Sequence, residues 1–390
     1  MPITHLTPRY YQQFACIGGD CEDNCCHGWS ISIDKQSLRN YLGHADPSLK
    51  KLAATHIRKI RKSDTQWGEI KLDEQGACPF LDQGGLCVIH AKAGPDALSQ
   101  TCQTYPRTSY HQEQELRHTL TLSCPEVVRC VLLDPRAMEI ALEQKRGHNT
   151  AAPLPPTHNQ LQQLALHITL NRDLPVEQRL WIIGMLVHRN PEPISHEAFL
   201  NQLASIADTG GLAPHFEQLP YLPDLHWWGL RAMSHLLRSE QSSKKRGYLA
   251  MEKCMERVYR HFDGECDHDK VTDLYREWQD KWEPWLANHP HVLDNYLLYW
   301  LYHHGFPQQG RPPAEAYLLL VADFFLLRAY LCLLTIEGEE PDETKIVSLF
   351  YSYHARRLHS RDFTRVLHES LSATGLNSDI SLYALLRNKN

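Results

Sequence analysis

Cysteines are concentrated towards one end of this 390-residue chain, and their spacing is the feature that most constrains its fold. Four of the twelve lie within eleven residues, at Cys16, Cys21, Cys25 and Cys26. Five more follow, at Cys78, Cys87, Cys102, Cys124 and Cys130. A deprotonated thiol is a soft ligand, and closely spaced thiols can bind one metal ion or cluster. The spacing of these cysteines therefore predicts a metal site in the amino-terminal third of the chain.

Three interpretations of these cysteines compete: a metal or iron–sulfur site, a disulfide framework, and buried thiols without a role. Disulfides require an oxidising compartment, and residues 1–9 lack the basic cap and apolar run of a secretory signal. In a cytoplasmic chain, clustered cysteines more often bind metal or act in catalysis. We therefore favour a metal in a cytoplasmic protein, and the other two interpretations stay open.

Composition and sequence pattern argue against three other classes of protein: nucleic-acid-binding proteins, zinc enzymes with an HExxH motif, and membrane-spanning proteins. The net charge is −6 and charged residues make up 22%, so nothing indicates a nucleic-acid surface. The 24 histidines are dispersed without an HExxH zinc motif, and only His27 and His90 lie beside cysteine motifs, as possible ligands or hydrogen-bond partners of ligands. The most apolar segment, 314–336, carries Glu315, Asp323 and Arg328, so we predict a buried core helix and no membrane span.

The pattern predicts a mainly α protein: a small cysteine-rich α+β region at 1–145, a proline-rich linker at 146–158, and an all-helical domain at 159–390. In the first region we expect a short strand at 28–33, helices at 35–43 and 47–62, and a hairpin or meander over 68–90 that places Cys78 and Cys87 on either side of a turn. Glycine-rich nucleotide loops (GxGxxG, GxxxxGK[ST]) are absent from the sequence, so a standard nucleotide fold is not expected.

Helical periodicity continues through the second region. The predicted helices are 159–170, 175–189, 195–208, 223–239, 244–262, 267–287, 290–304, 313–336, 341–358, 361–373 and 379–387. Tryptophans recur there at helical spacing, which is typical of core packing.

The cysteine motifs together resemble the flagellin lysine-N-methylase family, part of a broader group of cysteine-rich zinc- or iron-chelating domains. The motifs are Cys16-x4-Cys21-x3-Cys25-Cys26, Cys78-Pro79-Phe80-Leu81 with Gly85-x-Cys87-x-Ile89-His90, the run from Leu98 through Cys102 to Arg107, and Ser123-Cys124-Pro125-Glu126. The resemblance implies a cytoplasmic bacterial enzyme that transfers methyl groups from S-adenosylmethionine to flagellin lysines, and a [4Fe-4S] cluster on the cysteines, with zinc as the alternative metal.

The ligands that the resemblance implies are Cys16, Cys21, Cys25, Cys26, Cys78, Cys87, Cys102 and Cys124. Eight thiols exceed the four that a cubane needs, so either two sites exist or half of the thiols are structural. From motif context we favour Cys21, Cys25, Cys87 and Cys102, and we expect Cys130 to be a core thiol. The Cys-x3-Cys-x2-Cys run of radical S-adenosylmethionine enzymes is absent, because Gly28 stands where its third cysteine would be.

Residues for catalysis and for binding the methyl donor are not assigned by the sequence. Tyr105 and Glu126 are candidates for a lysine pocket, but we favour the structural interpretation of each, a packed tyrosine and a carboxylate stabilised at a helix N-terminus. A non-enzymatic zinc- or iron-chelating interaction module and an iron–sulfur redox protein are the rival functions. The expected partner is a protein substrate, flagellin.

Overall fold

The computed structural model describes residues 2–29, 31–147, 154–188, 198, 201, 212–239, 246–307, 311–357, 362–373 and 378–388. Helices dominate these residues, and the strands lie in the amino-terminal region, which confirms the predicted fold class. Of the predicted helix at 195–208 only residues 198 and 201 are described, and both are helical; residues 148–153 of the predicted linker lie outside the described residues.

Strands and short helices alternate up to residue 146. The strands are β1 (Pro2–Pro8), β2 (Ser32–Ile33), β3 (Ile57–Lys59), β4 (Gly68–Ile70), β5 (Arg107–Gln112), β6 (Glu115–Leu120) and β7 (Ile140–Arg146). The helices are α1 (Arg9–Gln13), α2 (Lys35–Leu42), α3 (Pro47–His56), α4 (Val88–Ala93), α5 (Gln100–Thr104) and α6 (Pro125–Val128), which continues as a π-helical turn, Arg129–Leu133.

The larger sheet has the strand order β5-β6-β1-β7, with β1 parallel to β6 and antiparallel to β7. The sequence analysis does not predict β1, β5 or β7. Strand β7 is exposed along its whole length, so it lacks the alternation of buried and exposed side chains by which a strand is recognised.

The smaller sheet, β2-β4-β3, is antiparallel and corrects one predicted helix. Helix α3 begins at Pro47 with Asp46 as its cap, as predicted, but it ends at His56 and does not reach residue 62. The chain changes to β3 because Ile57 pairs with Ile70 of β4 and is buried there. The predicted hairpin over 68–90 is also smaller than expected: beyond β4 a single bridge joins Leu81 to Cys87, and α4 begins at Val88.

The second region is helical, as predicted. Its helices are α7 (Pro156–Leu170), α8 (Val176–His188), α9 (Leu212–Glu217), α10 (Pro223–Ser239), α11 (Tyr248–His261), α12 (His268–Glu277), α13 (Glu283–Asn288), α14 (His291–His303), α15 (Pro313–Thr335), α16 (Glu343–Arg357), α17 (Phe363–Ser372) and α18 (Ser378–Ala384). The predicted helix at 267–287 is divided into α12 and α13 by a π-helical turn, Trp278–Trp282, and α9 is not predicted by the sequence.

Helix α15 is the centre of the helical region. By length and composition it could cross a membrane, but its apolar stretch is entirely buried inside the protein. It packs against α8, α11, α12 and α16. Two of the three charged residues named in the prediction, Asp323 and Arg328, are buried. Asp323 accepts hydrogen bonds from Tyr353 and from Arg357.

Buried side chains form two clusters. The smaller lies between Ile31 and Ile89, in the cysteine-rich segment. The larger joins the helical region to the four-stranded sheet and α6, and hydrogen bonds cross between them, for example from Tyr299 Oη to the Leu120 carbonyl at 2.8 Å. The boundary predicted at 146–158 stays a prediction, and the larger core extends across it.

Candidate metal centre

Five thiols from three segments of the cysteine-rich region influence one another's pKa values, although among the described residues no three of their sulfur atoms lie within 4.8 Å of one another. Cys25 and Cys26 come from the loop before β2, Cys78 and Cys87 from the turns between β4 and α4, and Cys102 from α5. The first two segments are joined by a hydrogen bond from the Cys78 N–H to the Cys26 carbonyl at 2.8 Å and by a bridge between His27 and Ala77. Burial raises the pKa of Cys78 to about 12, and the thiols of Cys87, Cys102 and Cys25 add to this rise. We call Cys25, Cys26, Cys78, Cys87 and Cys102 the five-thiol group.

Local hydrogen bonds position the adjacent pair Cys25 and Cys26. The Asn24 side-chain oxygen accepts from the Cys26 N–H at 3.0 Å and pairs with His27 Nδ1 at 2.8 Å. Trp29 donates its indole N–H to the Cys25 carbonyl. The Cys26 thiol hydrogen-bonds Cys25 and lowers the pKa of Cys25 to about 7, whereas the same contact and burial raise the pKa of Cys26. The contact between the two thiols therefore favours ionisation of Cys25 over that of Cys26, and both residues are partly buried.

Cys21 and Cys124 form a second, smaller group. Burial raises the pKa of Cys124 to about 12, and the nearby Cys21 thiol adds to the rise. Cys124 is the cap residue of α6, and the backbone N–H groups of Val127 and Glu126 oppose the rise in its pKa, although no hydrogen bond to its side chain forms there. Burial likewise raises the pKa of Cys21 and of Cys78, and the backbone N–H groups of Asp23 and Phe80 oppose these two rises. N–H bonds to sulfur stabilise thiolates and tune the metals they bind.

Cys16 and Cys130 stand apart from these groups. Cys16 is exposed in the loop after α1. The loop beyond it passes close to the turn before Cys87, since a Cβ on Gly19 would lie 2.8 Å from the Gly84 carbonyl oxygen. Cys130 is partly buried in the π-helical turn and packs against the larger core, which is the environment predicted for it.

Arg246 brings a buried positive charge from the helical region to the cysteines, and the sequence analysis does not identify it. Its guanidinium donates to Tyr105 Oη at 2.6 Å, to the Asp23 carbonyl at 2.9 Å and to the Ser123 carbonyl at 3.0 Å. Its Nε lies 3.6 Å from Asp23 Oδ1. Arg246 therefore binds backbone next to both thiol groups, and its charge favours ionised sulfur at Cys25 and Cys124.

Gly247 continues this link. Its N–H donates to Asp23 Oδ2 at 2.5 Å, and its backbone has a φ of +68°. A Cβ at this position would lie 2.7 Å from the Ser352 Cα of α16, so only glycine fits without displacement of the helix. Burial raises the pKa of Asp23, and the charge of Arg246 opposes that rise.

The two candidates for a lysine pocket have structural partners. Tyr105 donates to the Ser123 carbonyl at 3.0 Å, accepts from Arg246, and lies beside Trp29 with ring centroids 5.5 Å apart. Glu126 pairs with Arg129 at 3.1 Å, and Arg129 also reaches Glu22. The geometry thus accounts for both side chains without a substrate. His27 is held by Asn24, and His90 is exposed on α4.

Comparison with known proteins gives the family. The model of the FliB lysine N-methylase C-terminal domain matches residues 162–385, more than half of the chain. The chain belongs to the FliB lysine N-methylase family. This confirms the resemblance recognised in the cysteine motifs, from a part of the chain where the sequence analysis finds no motif.

Curated relatives of this FliB-family protein match most of its length. Lysine-N-methylases of Salmonella typhimurium and Salmonella choleraesuis are each 27% identical over 410 residues, which cover 98% of this chain and 99% of the relative. The flagellar biosynthetic protein FliU of Salmonella muenchen is 40% identical over 146 residues, which cover 37% of this chain and 85% of that protein. No solved structure matches the chain.

The FliB match and the cysteines occupy different parts of the chain, and Arg246 connects them. All eight predicted ligands precede residue 162, whereas Arg246 lies within the matched domain. An arginine followed by a glycine, as at Arg246 and Gly247, is not a recognisable motif in a helical sequence. Only the fold shows that Arg246 connects the helical region to the cysteines.

The donor set fits a metal or cluster that prefers sulfur ligands. The five-thiol group offers more than four soft ligands, and the charge of Arg246 favours ionised sulfur at Cys25. Of the favoured set, the structure brings Cys25, Cys87 and Cys102 together, while Cys21 lies nearer Cys124. In a [4Fe-4S] cubane each thiolate binds a different iron. The cysteine sulfur atoms around a cubane therefore lie farther apart than those around a single zinc ion.

Proposed function

We propose that this protein is a cytoplasmic methyltransferase that transfers methyl groups from S-adenosylmethionine to lysine side chains of flagellin. The observation that carries the proposal is similarity over 98% of the chain to proteins named lysine-N-methylases. The relationship to a flagellar biosynthetic protein supports the flagellar substrate.

We further propose that the five-thiol group holds a [4Fe-4S] cluster, with zinc as the alternative. Four of its thiols would be the ligands, and the adjacent Cys25 and Cys26 allow one ligand and one hydrogen-bonding neighbour. When bound, such a cluster supplies redox chemistry or Lewis acidity. Arg246 would then offset the negative charge of the thiolates from a position that water reaches poorly, since only 8% of the residue is exposed.

Methyl transfer to lysine makes defined demands on the protein. The amine must lose its proton, lie in line with the donor methyl group, and enter a site from which water is excluded. The rings of Trp29 and Tyr105 pack beside the loop that carries Cys25, and Cys102 leaves one side of the five-thiol group exposed. That exposed side is where we expect a protein substrate to approach.

The test is incorporation of labelled methyl groups from S-adenosylmethionine into flagellin lysines by protein purified without oxygen. Iron, zinc and acid-labile sulfide are measured on the same sample. We expect methylated lysine, with iron and sulfide near four each per chain as for one cubane. Cys87→Ser should lose metal and transfer, and Cys130→Ser, from the same region but outside the five-thiol group, should keep both.

Two results would contradict parts of this proposal separately. A cluster-loaded protein that transfers no methyl group to flagellin would overturn the enzymatic function. Stoichiometric zinc without sulfide or visible absorbance would replace the cluster by zinc. Zinc in place of the cluster, together with no methyl transfer to flagellin, would favour the non-enzymatic chelating module.

A further inference from the structure

A second set of metal-ligand side chains lies in the helical region, away from the cysteine-rich segment. Within the described part of the chain, Asp224, Cys266 and His268 bring one ligand atom each within 4.8 Å of one another. Asp224 Oδ1 and His268 Nε2 are 3.4 Å apart, and the Cys266 sulfur lies within 4.8 Å of a ligand atom of each of these two residues. None of these three residues belongs to the predicted ligand set.

The starts of α10 and α12 and the loop before α12 position these three residues, which we call the trio. Asp224 lies in the first turn of α10, and His268 is the first residue of α12, whose cap Asp267 accepts from the Asp269 N–H at 3.0 Å. The loop that carries Cys266 is tied to α10, because Arg231 donates to the Gly264 carbonyl at 2.7 Å. The ligand atoms therefore converge through contacts made outside the trio.

We propose that Asp224, Cys266 and His268 bind a zinc ion. Sulfur, imidazole nitrogen and carboxylate oxygen are the three ligand types that zinc takes, and three protein ligands with one open position is a recurrent zinc arrangement. A thiolate and a carboxylate together balance the two positive charges of the ion. The side chains of His268 and Asp224 are 58% and 68% exposed, which leaves room for water as the fourth ligand.

The site also borders an open groove. Asp224 lines this groove, which has a volume of about 570 Å³ and is formed mainly by α10 and α17. Trp228, Tyr259 and Glu369 line it as well. A zinc ion at its edge would join the starts of α10 and α12 and present its open position next to the groove.

The test is a zinc titration of the full-length protein in competition with a chromogenic chelator, with cobalt(II) as a spectroscopic substitute. The variants are Cys266→Ser, His268→Ala and Asp224→Asn, and the control is Asp263→Asn in the same loop. Loss of a group that only supports a ligand typically weakens metal binding 10- to 100-fold, so loss of a ligand should weaken this site by at least about 100-fold. Cys266→Ser should also remove the part of the thiolate–cobalt absorption that this site contributes.

The cysteine-rich region can itself take up zinc, so the experiment includes Cys25→Ser. That variant should keep the zinc bound at the trio and the thiolate–cobalt absorption that depends on Cys266. Zinc stoichiometry and affinity that are the same in Cys266→Ser, His268→Ala and the Asp263→Asn control would overturn the proposal. Far-ultraviolet circular dichroism of each zinc-free variant establishes that it is folded. The readouts do not involve methyl transfer, so failure here is distinct from failure of the proposed function.

Discussion

The cysteine-rich segment and the helical region are stabilised by different means. Around α15 nearly every side chain over 20 consecutive residues is buried, in a core that reaches as far as the four-stranded sheet. The segment between Ile31 and Ile89 buries only eleven hydrophobic residues, one of them Cys78, and its strands are two or three residues long. So small a core seldom folds alone, because it buries too little apolar surface to offset the loss of chain entropy. A metal ligated by the five-thiol group would supply the missing stability.

Metal removal should therefore give the largest difference between the two regions. Binding free energy at a structural metal site is also folding free energy, on the order of 10 kcal/mol for small zinc domains. We expect chelation, or Cys87→Ser, to unfold residues 31–98 while α15 and its neighbours stay folded. Hydrogen exchange followed by mass spectrometry resolves the two regions. Equal loss of protection in both would show that they form one cooperative unit.

Arg246 is the residue that joins the two regions, and its loss should have the next largest effect. Arg246→Gln would leave the Asp23 carboxylate buried without its counter-charge, for which about 3–5 kcal/mol is typical. Arg238→Gln is the matched control, because that side chain is 44% exposed and pairs with Glu252 at 3.8 Å, and such pairs contribute at most about 1 kcal/mol. Denaturant unfolding of both variants gives the comparison. Equal, small losses would mean that the contact between the regions is not held by Arg246.

Core truncation tests the helical side of the comparison. Leu320 of α15 is fully buried, and Leu320→Ala should cost about 2–5 kcal/mol through lost burial and the cavity left behind. Leu170, which is 61% exposed at the end of α7, provides the control and should change stability by about 0.5 kcal/mol or less. We expect the loss at Leu320 to be the same with and without chelator. A loss that depended on chelator would mean that the helical core relies on the metal.

The sequence predicts the helical region better than the cysteine-rich one, and the reason is physical. Apolar periodicity and proline at first turns locate α10, α14 and α15 to within a few residues, because burial against one large core imposes the pattern. In the cysteine-rich region the structure depends on long-range pairing: Ile57 ends α3 early by pairing with Ile70, and β7 joins β1 from more than 130 residues away. The cysteine motifs mark the site, but the contribution of Arg246 depends on how α11 is placed beside Ser123, which no local pattern encodes.

Acid should lower the stability of the helical region through its buried histidines. We expect this effect to be smaller than those of metal removal, Arg246→Gln and Leu320→Ala. Burial lowers the pKa of His304 to about 3 and that of His354, near Asp323 and Arg357, to about 4. In the unfolded chain a histidine has a pKa near 6.5, so between these folded values and pH 6.5 the unfolded chain binds more protons than the folded chain. The free energy of unfolding therefore falls as pH drops below about 6.5, by at most about 1.4 kcal/mol per pH unit for each histidine. His354→Gln should reduce this slope, whereas His215→Gln, at an exposed position, should not. Denaturant unfolding between pH 5 and 7 measures how steeply the free energy of unfolding depends on pH. The same steepness in His354→Gln and in the unchanged protein would show that His354 is not a source of the acid sensitivity of the helical region.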